Sequence, residues 1–511
     1  MWKTWRNSGV LLHPTSLPGA YGLGEIGPEA YRFADVLNEM GQGLWQMLPL
    51  GPTSYGDSPY QSPSTFAGNH LLISLDVLVN DGLLSPNKPA RLPEFPSTRV
   101  DYGWVIPERM QILRSVCRTF SRKAPEAVQK RFRSFCNHNA YWLDDYALFM
   151  AIKEAHGNGP FIEWPTELIT REEKALEKAR NEYKTAIRDV KIMQFLFHDQ
   201  WARLRTYCAK KGVQIVGDIP IFVAHDSADV WAHPELFYVD GPTGQLQVQA
   251  GVPPDYFSST GQLWGNPLYR WEAHQSTGYA WWMQRLRKVF EMVDIVRIDH
   301  FRGFEAYWEV PADAENAING RWVKGPNHDL FTVLRDQMDY LPIIAEDLGV
   351  ITPEVERLRD DFELPGMNIL QFAFGNDEKA EAFRPHNYKP NSVAYSGTHD
   401  NDTTVGWFNS QPGPNSTRSA DDIARERATV LNYLRTSGEQ IEWDMISLAY
   451  RSQANTAIAP LQDIMGLGSE ARMNTPGKPD GNWQWRFSWD MLPEETRTRL
   501  REISEASDRI R

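Results

Sequence analysis

The chain has 511 residues, and its 53 Lys and Arg against 66 Asp and Glu give a formal net charge of −13. That charge would repel a phosphate backbone, and the sequence holds no basic cluster to offset it, which argues against a nucleic-acid partner. Hydrophobic residues make up 41% and charged residues 23%, so the bulk of the chain is not disordered. No stretch approaches the roughly 20 apolar residues of a membrane span, and the first ten residues lack a signal-peptide core. We therefore expect a cytosolic protein with no membrane partner.

The cysteine and aromatic residues further limit the kinds of structural site and ligand to be expected. Cys117, Cys136 and Cys208 lie in helix-like sequence without metal-ligand spacing, so we predict neither disulfides nor a zinc site. The 19 Trp, 19 Tyr and 23 Phe often stand beside Gly, Pro or Asp in loop-like sequence. Such rings can pack loops onto the body of a protein, but the C–H face of a sugar also packs flat on an aromatic ring. The composition therefore favours a carbohydrate or other polyol ligand.

Eight short apolar runs recur along the chain, each ending in polar or Gly-rich sequence, which is typical of buried parallel strands. They cover residues 9–14, 44–51, 213–220, 292–301, 342–349, 368–374, 392–400 and 455–463. Helical patterns between them, such as those over 28–40, 281–290 and 352–361, supply the crossovers that parallel strands need. This alternation predicts an α/β fold, a (β/α)₈ TIM barrel. A doubly wound open sheet would also alternate, but no G-x-G-x-x-G follows any strand.

The uneven spacing of the runs locates insertions. We interpret residues 1–511 as one catalytic barrel, with a helical insertion over 80–212 between the second and third strands. A second insertion, over 222–279, is rich in Gly, Pro and aromatics and poor in periodicity, which favours a structured loop over a site. Only residues 464–511 follow the last run, so we expect no C-terminal β-sandwich domain.

Acidic residues stand at several predicted strand ends. They are Asp218, Asp299, Glu346 or Asp347, and Asp400. The active site of an α/β barrel lies at the carboxyl ends of its strands, so these side chains should converge. A single acid there is commonly a helix cap, but several like charges brought together are costly unless they have a function.

Two uses fit such a cluster. One is a divalent-metal site, for which HDND over 399–402 is the one local candidate. The other is cleavage of a glycosidic bond, which needs one ionised and one protonated carboxyl group. Arg297 precedes Asp299 by two positions on a strand, so it should share its face and keep it ionised as a nucleophile. Glu346 follows an apolar run among other carboxylates, so we expect a raised pKa and a proton-donor role. Asp347 lies on the opposite face, and periodicity alone leaves open which of the two faces the site.

Four segments at these strand ends carry a family resemblance: GDIPIF (217–222), VRIDHFRGF (296–304), AEDLG (345–349) and GTHDND (397–402). They resemble the four conserved regions of the α-amylase superfamily, in the variant of the 4-α-glucanotransferases, also called amylomaltases or disproportionating enzymes. Four longer segments resemble that family specifically: SGVLLHPTSLPG (8–19), WQMLPLGPTSYGDSPYQSPSTFAGN (45–69), PPDYFSSTGQLWGNPLYRW (253–271) and LGSEARMNTPG (467–477). The resemblance covers essentially the whole chain.

The resemblance implies roles for three carboxylates. Asp299 would be the nucleophile that forms a covalent glucosyl-enzyme, and Glu346, in preference to Asp347, the general acid/base. Asp400 would bind sugar hydroxyls and stabilise the transition state. It also implies that Arg297, His399 and Asp218 hold the sugar at the cleavage point, with Tyr60 stacking on it and Ser58 and Asn474 holding neighbouring units. The loop over 255–264 would overhang the cleft, with three aromatic residues packing on the glucan: Tyr256, Phe257 and Trp264.

The activity implied is that of a retaining 4-α-glucanotransferase, which passes a segment of an α-1,4-glucan to the 4-hydroxyl of another glucan or glucose. We expect malto-oligosaccharide, starch or glycogen as donor, no cofactor and no metal, and a monomer or homodimer. The expected location is cytoplasmic, or the plastid if the chain is a processed form. Two alternatives remain: a hydrolase of the same superfamily, and a non-catalytic glucan-binding protein, against which the intact Asp299, Glu346 and Asp400 argue.

Overall fold

The computed structural model describes residues 6–254, 260–338, 340–375, 379–412 and 419–510. Its strands are β1 Asn7–Leu11, β2 Leu44–Gln46, β3 Gln214–Pro220, β4 Val248–Val252, β5 Gln262–Pro267, β6 Ile295–Asp299, β7 Ala306–Pro311, β8 Arg321–Lys324, β9 Ile343–Ala345, β10 Gly366–Ile369, β11 Ser392–Tyr395 and β12 Thr456–Pro460.

The α-helices are α1 Pro28–Glu39, α2 Leu75–Asn80, α3 Tyr102–Lys123, α4 Glu126–His138, α5 Ala140–Ala155, α6 Thr166–Ile169, α7 Glu173–Glu182, α8 Lys184–Lys210, α9 Ala228–Ala232, α10 Trp271–Ser276, α11 Ala280–Met292, α12 His328–Gln337, α13 Pro353–Asp361, α14 Thr404–Phe408, α15 Ala420–Leu434, α16 Ile441–Arg451, α17 Leu461–Ile464 and α18 Glu494–Ala506. No helix of the described ranges is both long enough and apolar enough to cross a membrane.

Eight strands form one parallel sheet, in the order β10-β11-β12-β1-β2-β3-β6-β9. The amide of Ala345, at the end of β9, donates to the carbonyl of Pro365, just before β10, at 2.9 Å. The two outer strands therefore meet, and the sheet closes into a barrel. Each strand lies in or overlaps one of the eight predicted runs, so the TIM barrel is confirmed. The predicted helices over 28–40, 281–290 and 352–361 are α1, α11 and α13. After β12 the described residues form helices and turns but no strand.

Helices α2 to α8 fill the stretch between β2 and β3. The longest, α8, packs against α3, α5 and α1 and leads directly into β3. It ends because Gly212, with φ +74°, adopts the left-handed conformation that favours glycine. The next amide, that of Val213, then donates back to the carbonyl of Cys208 at 2.9 Å. Cys208 and Cys117 are buried, Cys136 is half-buried, and all three are free thiols, as predicted.

A second sheet, antiparallel and with the order β5-β4-β7-β8, stands beside the barrel. The sequence pattern predicts only a structured loop over 222–279, where β4 and β5 lie. A bulge interrupts the pairing of β4 with β5 between Gln249 and Gly251, which breaks the two-residue alternation that marks a strand. Gly251 is also a position of close approach, since a Cβ there would lie 2.5 Å from the carbonyl oxygen of Gln262.

Side chains at alternate strand positions pack into one buried cluster, with members that include Val216, Ile295, Ile344, Met367, Val393 and Ile458. Asp218 and Arg297 come two residues later on β3 and β6, and Glu346 comes two residues after Ile344, just past the end of β9. They therefore lie on the same face, one layer nearer the carboxyl end of the barrel. The apolar cluster therefore packs directly beneath the polar side chains in the barrel interior.

Candidate active site

A cleft of about 1640 Å³ lies over the carboxyl ends of the barrel strands. Small-molecule pockets are typically about 300–1,000 Å³, so this cleft has room for a chain of several sugar-sized units. Most of the site residues expected from sequence line it: Ser58, Tyr60, Trp264, Arg297, Asp299, Glu346, His399, Asp400 and Asn474.

Arg297 joins two of the carboxylates. The register of β3 against β6 places it opposite Asp218, and its Nη1 donates to both oxygens of that carboxylate, at 3.0 and 2.8 Å. Its Nη2 lies 2.9 Å from Oδ1 of Asp299. Arg297 and Asp218 are buried, whereas the Asp299 side chain is 32% exposed. Arg297 and Asp299 therefore share a face, as predicted, and Asp299 presents its carboxylate to the cleft.

Tyr60 continues this network toward Asp400. Its hydroxyl donates to Oδ2 of Asp218 at 2.8 Å, so its oxygen is left to accept from Nε2 of His399 at 2.9 Å. The two rings stack at 5.3 Å between centroids. Nε2 of His399 also lies 3.4 Å from Oδ2 of Asp400. Burial raises the pKa of Asp218 to about 6, against the opposing effect of Arg297.

Glu346 sits just past the end of β9 in a buried position. Its oxygens accept from the backbone amides of His300, at 2.7 Å, and Leu348, at 2.8 Å. Burial raises the pKa of Glu346 from its ordinary 4.5 to about 8, and the charge of Asp299 adds to the rise, while Arg297 and the two amides oppose it. The predicted rise is confirmed, with burial as its largest cause.

Asp347 points away from the cleft. Its carboxylate forms an ion pair with Arg359 of α13 and accepts from the amide of Met367 in β10 at 2.8 Å. The alternation predicted for these neighbours is therefore correct, and the structure decides that Glu346 is the one that faces the cleft.

Both the side chain and the backbone of Asp400 are hydrogen-bonded. Nδ2 of Asn474 donates to its Oδ1 at 2.6 Å, and Nη2 of Arg472 donates to its backbone carbonyl at 2.6 Å. Its side chain remains 43% exposed at the cleft surface.

In the segment HDND, the candidate for the alternative metal site, Asn401 and Asp402 are hydrogen-bonded to other residues. Oδ1 of Asn401 accepts from the amide and the hydroxyl of Thr398, at 2.9 and 2.8 Å. Oδ2 of Asp402 accepts from the hydroxyl of Ser469 at 2.7 Å. The two bonds of Asn401 lie within its own loop, and the bond of Asp402 links that loop to the segment at Ser469. In the part of the chain that the structure describes, no three His, Cys, Asp or Glu side chains are grouped to hold a metal ion.

Comparison with known proteins matches a family model described as 4-alpha-glucanotransferase to residues 12–492. The chain belongs to the 4-alpha-glucanotransferase family. A 4-alpha-glucanotransferase of Thermus thermophilus is 49% identical over 99% of both chains. A chloroplastic/amyloplastic one of Solanum tuberosum is 42% identical over 98% of this chain and 85% of its own. Among solved structures, an amylomaltase from Streptococcus agalactiae in complex with acarbose superposes with a TM-score of 0.93 at 39% identity, covering 99% of this chain and 100% of that one.

Some cleft residues of this family member were not predicted from sequence. His300, with φ +58°, turns its amide toward Glu346, and its ring meets that of Trp264 edge-on at 4.7 Å. Trp483 lies 5.8 Å from the ring of Tyr60 and also lines the cleft. A positive φ at a histidine leaves no sequence signal, and the Trp483 segment matches no strand or helix pattern. Two of the predicted aromatics lie outside the described residues: Tyr256 and Phe257.

Proposed function

We propose that this protein is a retaining 4-α-glucanotransferase that disproportionates malto-oligosaccharides. The observation that carries the proposal is the pairing of two unlike carboxyl groups at the head of the barrel. Asp299 is ion-paired with Arg297 and open to the cleft, while the buried Glu346 has a raised pKa. A double displacement at a glycosidic bond needs one ionised and one protonated carboxyl group of this kind.

In the first step the ionised Asp299 attacks the anomeric carbon of the donor sugar and displaces the glycosidic oxygen. Glu346 gives its proton to that oxygen, so the leaving chain departs with a free 4-hydroxyl. In the second step the Glu346 carboxylate takes the proton from the 4-hydroxyl of an acceptor, whose oxygen displaces Asp299 from the same carbon. Two inversions restore the α-configuration. A pKa near the working pH suits a group that must both give and take a proton.

The network around this pair supplies the sugar contacts. On one side of the sugar, the Asp400 carboxylate accepts hydrogen bonds and the His399 ring offers a nitrogen. On the other side lie Arg297 and Asp218, and the Tyr60 hydroxyl joins Asp218 to His399. Asp400 binds sugar hydroxyls and stabilises the transition state. Ser58 and Asn474 hold neighbouring glucose units, and the aromatic ring of Tyr60 packs against the sugar at the cleavage point. Trp264, which lines the cleft, packs on the glucan and keeps water from the covalent intermediate.

Product analysis with maltotriose tests the activity. A transferase converts maltotriose into glucose and a ladder of longer chains, whereas a hydrolase of the same superfamily yields glucose and maltose alone. Asp299→Asn should abolish both patterns while circular dichroism stays unchanged. Asp329→Asn, at an exposed position at the start of α12, is the matched control and should retain full activity. A ladder formed by Asp299→Asn would overturn the assignment of the nucleophile.

We further propose that residues 1–511 form a single catalytic unit in which 80–212 is a helical insertion and 222–279 covers the active site. It works without a cofactor as a monomer or homodimer, which light scattering after size-exclusion chromatography would distinguish. The location proposed is the cytosol, or the plastid if the chain is a processed form, because its relatives include bacterial and plastid proteins.

A further inference from the structure

Three exposed large hydrophobic residues lie on segments that form or contact the cleft wall: Ile318, Trp322 and Val350, which are 48%, 41% and 40% exposed. We name them the rim patch. Ile318 and Trp322 belong to the hairpin formed by β7, β8 and the turn between them, while Val350 follows β9 and lines the cleft itself. The catalytic network uses none of the three.

The hairpin touches the cleft wall at two points. At its tip, the amide of Ala317 donates to the carbonyl of Thr260 at 3.1 Å, next to Gly261, which lines the cleft. At its base, Arg302 lies with its guanidinium carbon 3.8 Å from the centroid of the Trp322 ring, and its Nη1 donates to the carbonyl of Val350. The Arg302 guanidinium group thus links the Trp322 ring to the cleft lining at Val350.

The indole of Trp322 is held in place before any ligand arrives. The buried Arg302 packs on it and is itself fixed by a bond to the carbonyl of Ala306 at 3.2 Å. Trp308, opposite Trp322 in the strand register, meets it edge-on at 5.1 Å between centroids. A ring fixed in this way loses little conformational entropy when a ligand packs on its open surface.

We propose that Trp322 is a stacking platform for the part of an α-glucan chain that extends beyond the cleft, an outer subsite used by long substrates and not by short ones. The C–H face of a glucose unit matches an exposed indole, and Arg302 links this indole to Val350 in the cleft wall. A protein partner is disfavoured because three side chains offer far less than the 1,200–2,000 Å² or so that a stable protein interface buries. The inference rests on the proposed function, since it assigns a longer substrate to the same site.

Kinetics with two substrates test the platform. For Trp322→Ala we expect kcat and KM on maltotriose within about twofold of wild type, and a KM for amylose raised roughly three- to tenfold at nearly unchanged kcat. Trp322→Tyr, which keeps a ring, should recover most of the amylose affinity. Tyr141→Ala removes an equally exposed aromatic, 41%, from α5, outside the cleft lining, and should change neither substrate. An unchanged amylose KM in Trp322→Ala, or the same rise in Tyr141→Ala, would overturn the proposal.

A binding measurement keeps the test independent of turnover. In native gels containing amylose, Trp322→Ala should migrate faster than wild type, while the two should migrate alike in gels without amylose. Equal retardation in amylose refutes the platform. Failure of the wild-type protein to disproportionate maltotriose would refute the proposed function instead, and the gel result would still stand as evidence on glucan binding.

Discussion

Replacing Tyr60 by Phe tests whether the network between the two sides of the cleft contributes to catalysis. The change removes one oxygen atom, which donates to Asp218 at 2.8 Å and accepts from His399 at 2.9 Å. It keeps the ring that stacks on His399. A hydrogen bond to a charged group contributes about 1.5–3 kcal/mol, which corresponds to about a 10- to 150-fold loss in kcat/KM if the whole effect falls on the transition state.

Tyr450→Phe is the matched control. Its hydroxyl is also buried and donates to Oε1 of Gln42 at 3.0 Å, but it belongs to α16 and does not line the cleft. Both variants should lower the thermal unfolding temperature by a similar small amount, and only Tyr60→Phe should lower kcat/KM for maltotriose. The reasoning is refuted if Tyr60→Phe stays within twofold of wild type, or if Tyr450→Phe loses as much activity.

Three further predictions concern the carboxyl groups. Because the pKa of Glu346 is raised to about 8, its proton is present below that pH and lost above it, so kcat/KM for maltotriose should fall as the pH rises through about 8; a profile flat to pH 10 would contradict this. Glu346→Gln should lower kcat on maltotriose by about 10²- to 10⁴-fold but slow the first-turnover release of fluoride from α-maltosyl fluoride far less, since fluoride departs without a proton and this step precedes proton transfer from the acceptor; an equal loss in the first-turnover rate would remove Glu346 from the acid role. Asp347→Ala removes one of the two ion-pair partners of the largely buried Arg359, which keeps Asp360, and leaves the amide of Met367 without its acceptor. It should lower the free energy of unfolding by about 1–3 kcal/mol with kcat nearly unchanged, as thermal denaturation and maltotriose assays would show; an unchanged unfolding temperature would show that the Asp347 contacts contribute nothing.

The barrel strands could be predicted because parallel strands covered on both faces consist of short, nearly continuous apolar runs. The side-chain alternation within one strand could be predicted as well, since it depends only on neighbouring residues. It places Arg297 and Asp299 on one face and separates Glu346 from Asp347, and the structure agrees on both points.

The antiparallel sheet beside the barrel could not be predicted in the same way. Its central strand β4 pairs with β7, and the bonded residues Gln249 and Val310 are far apart in the chain. Neither strand is long or regular enough to be recognised without its partner, and the bulge at Gln249 and Gly251 interrupts the alternation. The contact of Trp322 with Arg302, which bonds to Val350 in the cleft wall, likewise depends on tertiary packing and could not be predicted from local pattern.

The sequence by itself determined the barrel, the acids at its strand ends and the face on which most of them lie, because each depends on local pattern. The tertiary structure decided which groups meet. Arg297 reaches Asp218 across 79 residues of chain, and Tyr60 reaches His399 across 339. The amide of His300 points at Glu346 only because the backbone turns through a left-handed conformation there. Such contacts depend on strand register and barrel closure, which no local pattern contains.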